Sequence, residues 1–274
     1  MKKYISLLLF LIATSLTAQE PIIVKLENRP SSLGIQPAFE VMVPQATQNE
    51  AIDLWKKTIN PPALFKKTSK MKKVKDEWLV NNVLVDEIAP FPLDVITQVS
   101  TFPGHIYVRI FFQNENGFLG ADSTQQTDAA IQFVRDYGVE LYRLAVEKEL
   151  RAEERRLKSF ERDLNQLIRK NKSYDRKKED VEHERETLQE EARYQQEILK
   201  SERVVLSENP EAARETAKEE LKDTEKDIKK ARRAASRFDR KTRKNVQNQK
   251  DKVREIEKQR IKVEELQNKL DNIR

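Results

Sequence analysis

The second half of the chain combines a long heptad repeat with a complete lack of glycine, and few folds are compatible with both. The last glycine is Gly138. Beyond it, apolar residues recur in two registers, with position a at residues 157 and 228 and position d three residues after each a. A heptad pattern kept over many repeats is typical of a coiled coil. The sequence therefore predicts two long helices, over residues 126–206 and 211–274.

The segment between the two registers predicts a short turn at residues 207–210. Asn209 suits the cap of a new helix, and Pro210 is tolerated at its first position. Two long helices joined by so short a turn must fold back antiparallel. Pairing outward from this turn brings Asn171 opposite Asn245, and we expect these asparagines to form a polar layer that fixes the register.

The first half predicts a small α+β domain over residues 38–125, preceded by an extended leader over residues 20–37. Phe39, Val41 and Val43 alternate as in a strand with one face buried. We expect the folded part to start at this strand, since the leader before it contains Pro21, Pro30, Ser31 and Ser32.

A helix and a meander of strands complete the predicted domain. Thr47 and Glu50 have the spacing of a capping box, and Pro61 ends the helix that they would start. Three runs rich in β-branched or aromatic residues follow, at residues 78–88, 93–102 and 106–113. The predicted fold class is therefore α+β: a small antiparallel sheet of about four strands with a packed helix, followed by a long antiparallel α-helical coiled-coil hairpin.

Residues 1–19 predict a secretory signal peptide. Lys2 and Lys3 precede an apolar run, and the small residue Ala18 stands at the expected cleavage site. The run is too short for a comfortable transmembrane helix, so we expect no membrane span in the mature chain; a retained amphipathic anchor is the alternative. The chain has no cysteine, so an exported protein would fold without disulfides. The expected location is the periplasm or cell envelope, or the extracellular medium.

Charge is distributed unevenly along the predicted hairpin. Residues 179–191 are mostly acidic and would face residues 225–237, which are mostly basic, and this favours the antiparallel pairing. The neighbouring residues 169–178 and 238–247, here called the basic band, together carry ten bases and two acids. The band predicts an anion-binding site, with a solvated helix face as the alternative. Its candidate residues are Lys170, Lys172, Arg176, Lys177, Lys178, Arg240, Lys241, Arg243 and Lys244.

A second group of lysines lies between Lys66 and Lys75, in the otherwise neutral first half. It could bind phosphate or sulfate groups, or it could form a solvated loop. Nucleic acid is disfavoured because no aromatic residues interleave to stack on bases. For an exported protein the expected anionic partners are an acidic glycan, lipopolysaccharide or a lipid headgroup.

No pattern in the sequence indicates catalysis. His105 and His183 stand alone, whereas metal sites need several convergent ligands. The sequence contains neither a phosphate-binding loop nor a nucleophile elbow. We therefore expect no catalytic residue, no metal site and no cofactor, and predict that the protein is not an enzyme.

The leader, the mixed domain and the charged hairpin, together with the stretch Lys72–Trp78, resemble the uncharacterised secreted coiled-coil proteins of Bacteroidota. The layout is also similar to that of the Skp-type periplasmic chaperones, which are holdases. The first resemblance implies no known activity, and the second implies binding of unfolded client proteins. The sequence favours a non-enzymatic cell-envelope protein that acts as a coiled-coil spacer or protein-interaction arm. The alternative is a periplasmic binding module for polyanions or unfolded clients.

Overall fold

The computed structural model describes residues 22–59, 70–121, 125–200 and 210–273. The predicted signal peptide and the predicted turn lie outside these ranges, apart from Pro210. The chain divides into two compact units. Unit 1 contains Met1–Glu153 and Val263–Arg274, and unit 2 contains Glu154–Lys262.

Unit 1 is built on an antiparallel sheet of seven strands in the order β1-β2-β6-β5-β4-β3, with β7 paired to β6. The strands are β1 (Val24–Ser31), β2 (Gly34–Pro44), β3 (Lys72–Val74), β4 (Glu77–Val83), β5 (Leu93–Phe102), β6 (His105–Asn114) and β7 (Gly117–Phe118). The helices are α1 (Gln48–Ile59), α2 (Gln125–Lys200) and α3 (Pro210–Asp271). The predicted α+β class is confirmed, because a sheet in which every pairing is antiparallel is combined with long helices.

The structure corrects the predicted leader and the predicted number of strands. Residues 24–31 and 34–44 form the hairpin β1–β2, so the sheet already includes most of the segment predicted as an extended leader. Its turn uses Gly34 with φ of 98°, a conformation that glycine adopts at low cost. β1 is an edge strand without a buried residue; Val24 and Leu26 alternate with charged residues, but Asn28 and Pro30 interrupt the pattern.

The predicted helix and its capping box are confirmed in α1. The backbone N–H of Thr47 donates to Glu50 Oε2 at 2.9 Å, and the N–H of Glu50 donates to Thr47 Oγ1 at 3.4 Å. These two bonds satisfy amide groups that have no partner within the helix. The helix then buries Trp55 completely.

The main core lies between one face of the sheet and the helices of unit 1. Trp55 of α1 meets Phe133 and Tyr137 of α2 edge-on, with ring centroids 6.0 and 4.8 Å apart. The Tyr137 hydroxyl donates to the Ala51 carbonyl oxygen at 2.9 Å. Burial raises the pKa of Tyr137 far above its ordinary value, so this hydroxyl remains a donor.

The end of α3 packs into the same core. Leu266 and Ile273 are buried among the residues that cover the sheet. Arg143 Nη2 donates to the Ile273 carbonyl oxygen at 3.4 Å, and Lys269 Nζ donates to Gln45 Oε1 at 2.9 Å. Residues near both ends of the described chain therefore contribute to the core of unit 1.

Unit 2 is the antiparallel helical hairpin that the sequence predicts. Asn245 Nδ2 donates to Asn171 Oδ1 at 3.0 Å, so the predicted asparagine layer is confirmed. All predicted a and d positions at residues 157–199 and 228–273 are buried or half-buried, which confirms both heptad registers over the described residues. The seam is polar in its middle, where Lys178, Arg185 and Gln249 occupy such positions.

Candidate anion-binding site on the hairpin

The structure brings the two halves of the basic band side by side in unit 2. The asparagine layer lies within the band, as does a bond of 3.3 Å from Thr242 Oγ1 to Asp175 Oδ1. Lys178 Nζ lies 2.9 Å from Asp239 Oδ1 on the other helix. The nine predicted basic residues therefore share one stretch of the hairpin, although they are contributed by helices that run in opposite directions.

Most of the predicted site residues are available to a ligand. All of the nine except Lys178 are exposed. Lys178 occupies an a position, is half-buried, and has Glu182 Oε1 at 3.7 Å in addition to Asp239. The hydrogen bond to Asp239 and the negative charge of that carboxylate raise the pKa of Lys178 above its ordinary value. Lys178 therefore stabilises the seam and is not counted among the ligand-binding side chains.

Lys241 lies above two aromatic rings of the seam. Its Nζ is 5.5 Å from the ring centroid of Phe238 and 5.8 Å from that of Tyr174. These distances permit cation–π attraction, which holds the ammonium group near the seam while its side chain remains exposed.

The band has two different sides, which the heptad letters identify. Positions e and g flank the seam on opposite sides, and the contacts agree with this assignment. On the e side, Arg260 Nη2 lies 3.1 Å from Glu161 Oε1, and both acids of the band, Asp175 and Asp239, hold polar contacts with residues at a positions. The g side carries Lys170 and the other residues described next.

A shallow groove of about 390 Å³ opens on the g side beside the band. Its lining combines seam and flanking residues: Asp163, Gln166, Leu167, Lys170, Asn248, Asp251, Lys252 and Glu255. Within it, Lys252 Nζ lies 2.7 Å from Glu255 Oε2 and 3.7 Å from Asp163 Oδ2. Acidic groups therefore dominate the groove away from the band, and positive charge increases towards Lys170.

The two histidines do not come together, because they lie in different units. His105, at the start of β6, stacks on Phe102 with ring centroids 5.5 Å apart and meets Tyr107 edge-on. His183 Nδ1 lies 3.5 Å from the Thr187 hydroxyl on the same helix. Among the residues that the structure describes, no group of three or more acidic, histidine or cysteine side chains could hold a metal ion.

The described part of the second lysine group lies at a sheet edge. Lys70, Lys72, Lys73 and Lys75 are exposed, and Lys73 Nζ lies 4.9 Å from the ring centroid of Trp78. Lys66 and Lys67 lie outside the described residues. The described lysines therefore flank the short edge strand β3.

Sequence reasoning missed a charged cluster on the second face of the sheet. Glu40 is buried and accepts from Arg109 Nε at 2.5 Å and from Arg29 Nη2 at 3.0 Å. Arg109 Nη1 also donates to the Ser100 hydroxyl at 3.1 Å. The residues come from β1, β2, β5 and β6, so only the strand order could reveal the cluster.

A second buried carboxylate connects the β1–β2 turn to this face. Glu77 Oε1 accepts from the Ser32 backbone N–H at 2.9 Å and from Gln98 Nε2 at 2.8 Å, and Gln98 also donates to the Pro30 carbonyl oxygen. Burial raises the pKa of Glu77, but the hydrogen bonds from Ser32 and Gln98 outweigh it and leave the pKa below its ordinary value. The turn therefore covers part of the second face, where Ile96 and Phe111 are buried.

Comparisons of the chain with family models, curated proteins and solved structures find no match. Within the described ranges, no helix has both the length and the apolar character needed to cross a membrane. Functional inference therefore depends on the contacts and charges of the two units.

Proposed function

We propose that the protein is an exported, non-enzymatic cell-envelope protein whose helical hairpin acts as a protein-interaction arm. The observation that carries this proposal is a row of aliphatic side chains outside the seam. Ile168, Val246 and Val253 occupy e positions and retain 38%, 37% and 40% of their exposure. A coiled coil that satisfied only its own two helices would need apolar residues at a and d alone.

The proposed occupant of this row is an amphipathic helix of a protein partner with acidic flanks. Apolar residues at a and e positions together widen the seam on one side, which is the surface that a third helix needs. The flanking b positions carry Lys172, Arg243 and Lys250, so acidic residues on the partner would find complementary charge. A partner that binds along the seam would also cover the polar middle layers of the hairpin.

The most conspicuous carboxylates of unit 1 support the non-enzymatic part of the proposal. Glu40 is held between two arginines, and Glu77 is held by Ser32 and Gln98. Both carboxylates are therefore engaged in contacts that hold parts of the sheet together. The signal-peptide pattern of residues 1–19 supports export, and it is tested by fractionating cells and determining the amino terminus of the mature protein, expected near Gln19.

Site-specific photocrosslinking tests the interaction arm. A photoreactive residue at Val253 should give a discrete crosslinked product in envelope fractions, and Ile168→Asp should abolish that product. The matched control places the same residue at Gln247, an exposed f position on the same helix. Equal products at both positions, or no product at Val253, would contradict the proposal. A product of twice the chain mass would show that the partner is a second copy of this chain, not another protein.

A second candidate function is binding of polyanions or unfolded clients by the basic band. It is favoured by the exposure of eight of the nine predicted basic residues, with only two acids in the band. Binding of this kind should weaken steeply as salt rises, because it releases counterions from the polyanion. The test is heparin affinity of the full chain between low and physiological salt. No retention at low salt would remove this candidate.

A further inference from the structure

We infer that the basic band binds a sulfated or phosphorylated glycan chain on one side only, through a lysine strip made of Lys170, Lys177, Lys241 and Lys244. This inference rests on the second candidate function and adds to it the side, the residues and the ligand class. The argument starts from how the charges of the band are distributed around the hairpin.

The band is electrostatically asymmetric. Its two acids, Asp175 and Asp239, both occupy e positions, and there they contact Thr242 and Lys178. On the opposite side, three lysines of the strip occupy g positions and Lys244 occupies the adjoining c position. No acid of the band shares that side. The strip therefore concentrates uncompensated positive charge that is averaged out when the band is counted as a whole.

The strip is also preorganised across the two helices. Antiparallel pairing places g positions opposite one another, and the register set by Asn171 and Asn245 makes Lys177 and Lys241 such a pair. The cation–π contacts of Lys241 with Tyr174 and Phe238 hold its ammonium group at the seam. Lys170 lines the neighbouring groove together with Leu167 and Asn248. Lys177 and Lys241 are like charges that face each other, so an anion that bridges them relieves their repulsion.

The length and chemistry of the strip suit a linear anion. One heptad separates Lys170 from Lys177, a distance of about 10 Å along the helix axis. Lysine presents a compact charge with three donors, which binds individual sulfate or phosphate groups without requiring a planar partner. A chain with such groups at intervals could contact lysines of both helices at once.

Two other classes of polyanion fit this side less well. The first is an anionic membrane surface. A helix that binds such a surface needs an exposed apolar face beside its cations, but the exposed Ile168 and Val246 lie on the e side. Single-stranded nucleic acid needs exposed aromatic rings for its bases. Tyr174 and Phe238 are half-buried in the seam, with Lys241 above them. A soluble anionic glycan requires neither feature.

The test compares two variants of the full chain with equal changes in charge. The strip variant is Lys170→Gln, Lys177→Gln, Lys241→Gln and Lys244→Gln. The control variant changes b and f positions of the same band: Lys172→Gln, Arg176→Gln, Arg240→Gln and Arg243→Gln. Heparin affinity is measured at several salt concentrations, with anionic vesicles of phosphatidylglycerol and inorganic phosphate as further probes.

The strip variant should lose at least about tenfold in heparin affinity and show a shallower salt dependence, whereas the control should lose less than about threefold. A triple variant that keeps Lys241 should show most of the loss, and this separates binding from any effect on the cation–π contacts. Equal losses in strip and control variants would overturn the one-sided site while leaving binding by the band intact. If the wild-type protein does not bind heparin, both the anion-binding function of the band and the one-sided site are wrong. If the strip lysines are needed for binding to vesicles but heparin does not bind, the ligand is not a glycan.

Discussion

At the scale of single residues, the most consequential contact is the one between Glu40 and its two arginines. The Glu40 side chain retains 6% of its exposure, whereas those of Arg29 and Arg109 retain 33% and 22%. Glu40→Gln should lower the free energy of unfolding by about 2 kcal/mol, because two partly buried cations lose their counter-charge. Urea denaturation measures the change.

Glu27 supplies the matched control for this prediction. It also contacts Arg29, at 2.6 Å, but its side chain retains 44% of its exposure. Glu27→Gln should change the free energy of unfolding by less than about 0.5 kcal/mol, since solvent screens such pairs. Equal effects of the two substitutions would mean that burial does not govern this cluster.

Glu77 makes the stability of unit 1 dependent on acid. Its folded pKa lies below the ordinary value of 4.5, so its contribution to stability is complete above that value and is lost as pH falls through the folded pKa. Wild type should lose stability as pH falls from about 5 to about 3, and Glu77→Gln should be less stable at neutral pH with a smaller acid-induced loss. Thermal unfolding across this range is the measurement, with Glu87→Gln as an exposed control. An unchanged pH slope in Glu77→Gln would contradict the prediction.

At the scale of elements, Gly138 sets how closely α2 approaches the sheet. A Cβ atom at this position would lie 2.8 Å from Val41 Cγ2 and 2.9 Å from Ile22 Cγ2. Alanine in place of glycine usually stabilises a helix by about 1 kcal/mol. Gly138→Ala should instead destabilise unit 1 by about 1–3 kcal/mol, because both neighbours are buried and branched at Cβ.

Arg135→Ala, at an exposed position of the same helix within unit 1, provides the comparison. It should be neutral or slightly stabilising, since it raises helix propensity without a clash. Chemical denaturation followed by tryptophan fluorescence reports on unit 1, where Trp55 and Trp78 lie. If Gly138→Ala were as stable as wild type, the close approach of α2 would have to be wrong.

The elements that could be predicted from sequence are those with a local pattern. The heptads around Asn171 and Asn245 repeat every seven residues, so both register and pairing followed from spacing and from the position of the turn. The capping box of Thr47 and Glu50 is equally local. Strand β1 was missed because Asn28 and Pro30 interrupt its short alternation, and its pairing with β2 cannot be read from its own residues.

At the scale of the whole molecule, the sequence predicted the location of the basic band but not its asymmetry. The number of charges in residues 169–178 and 238–247 does not depend on how the two helices pack, but the side on which each charge lies does. The heptad letters place Asp175 and Asp239 at e positions, but only the hairpin contacts show that both acids are held at the seam. The Glu40 cluster was unpredictable for a similar reason, since 69 positions separate Glu40 from Arg109.

Because the end of α3 packs into unit 1, the stability of unit 1 depends on residues close to the carboxyl end of the described chain. Leu266 and Ile273 retain 7% and 3% of their exposure in the main core. The double substitution Leu266→Ala and Ile273→Ala should lower the free energy of unfolding of unit 1 by about 3 kcal/mol or more, because each truncation leaves a cavity. The control pair Glu264→Ala and Asn268→Ala, at exposed positions, should leave it nearly unchanged. Both tryptophans belong to unit 1, so their fluorescence follows the unfolding of that unit alone. If the two double variants had the same denaturation midpoint, the end of α3 would contribute nothing to the core of unit 1.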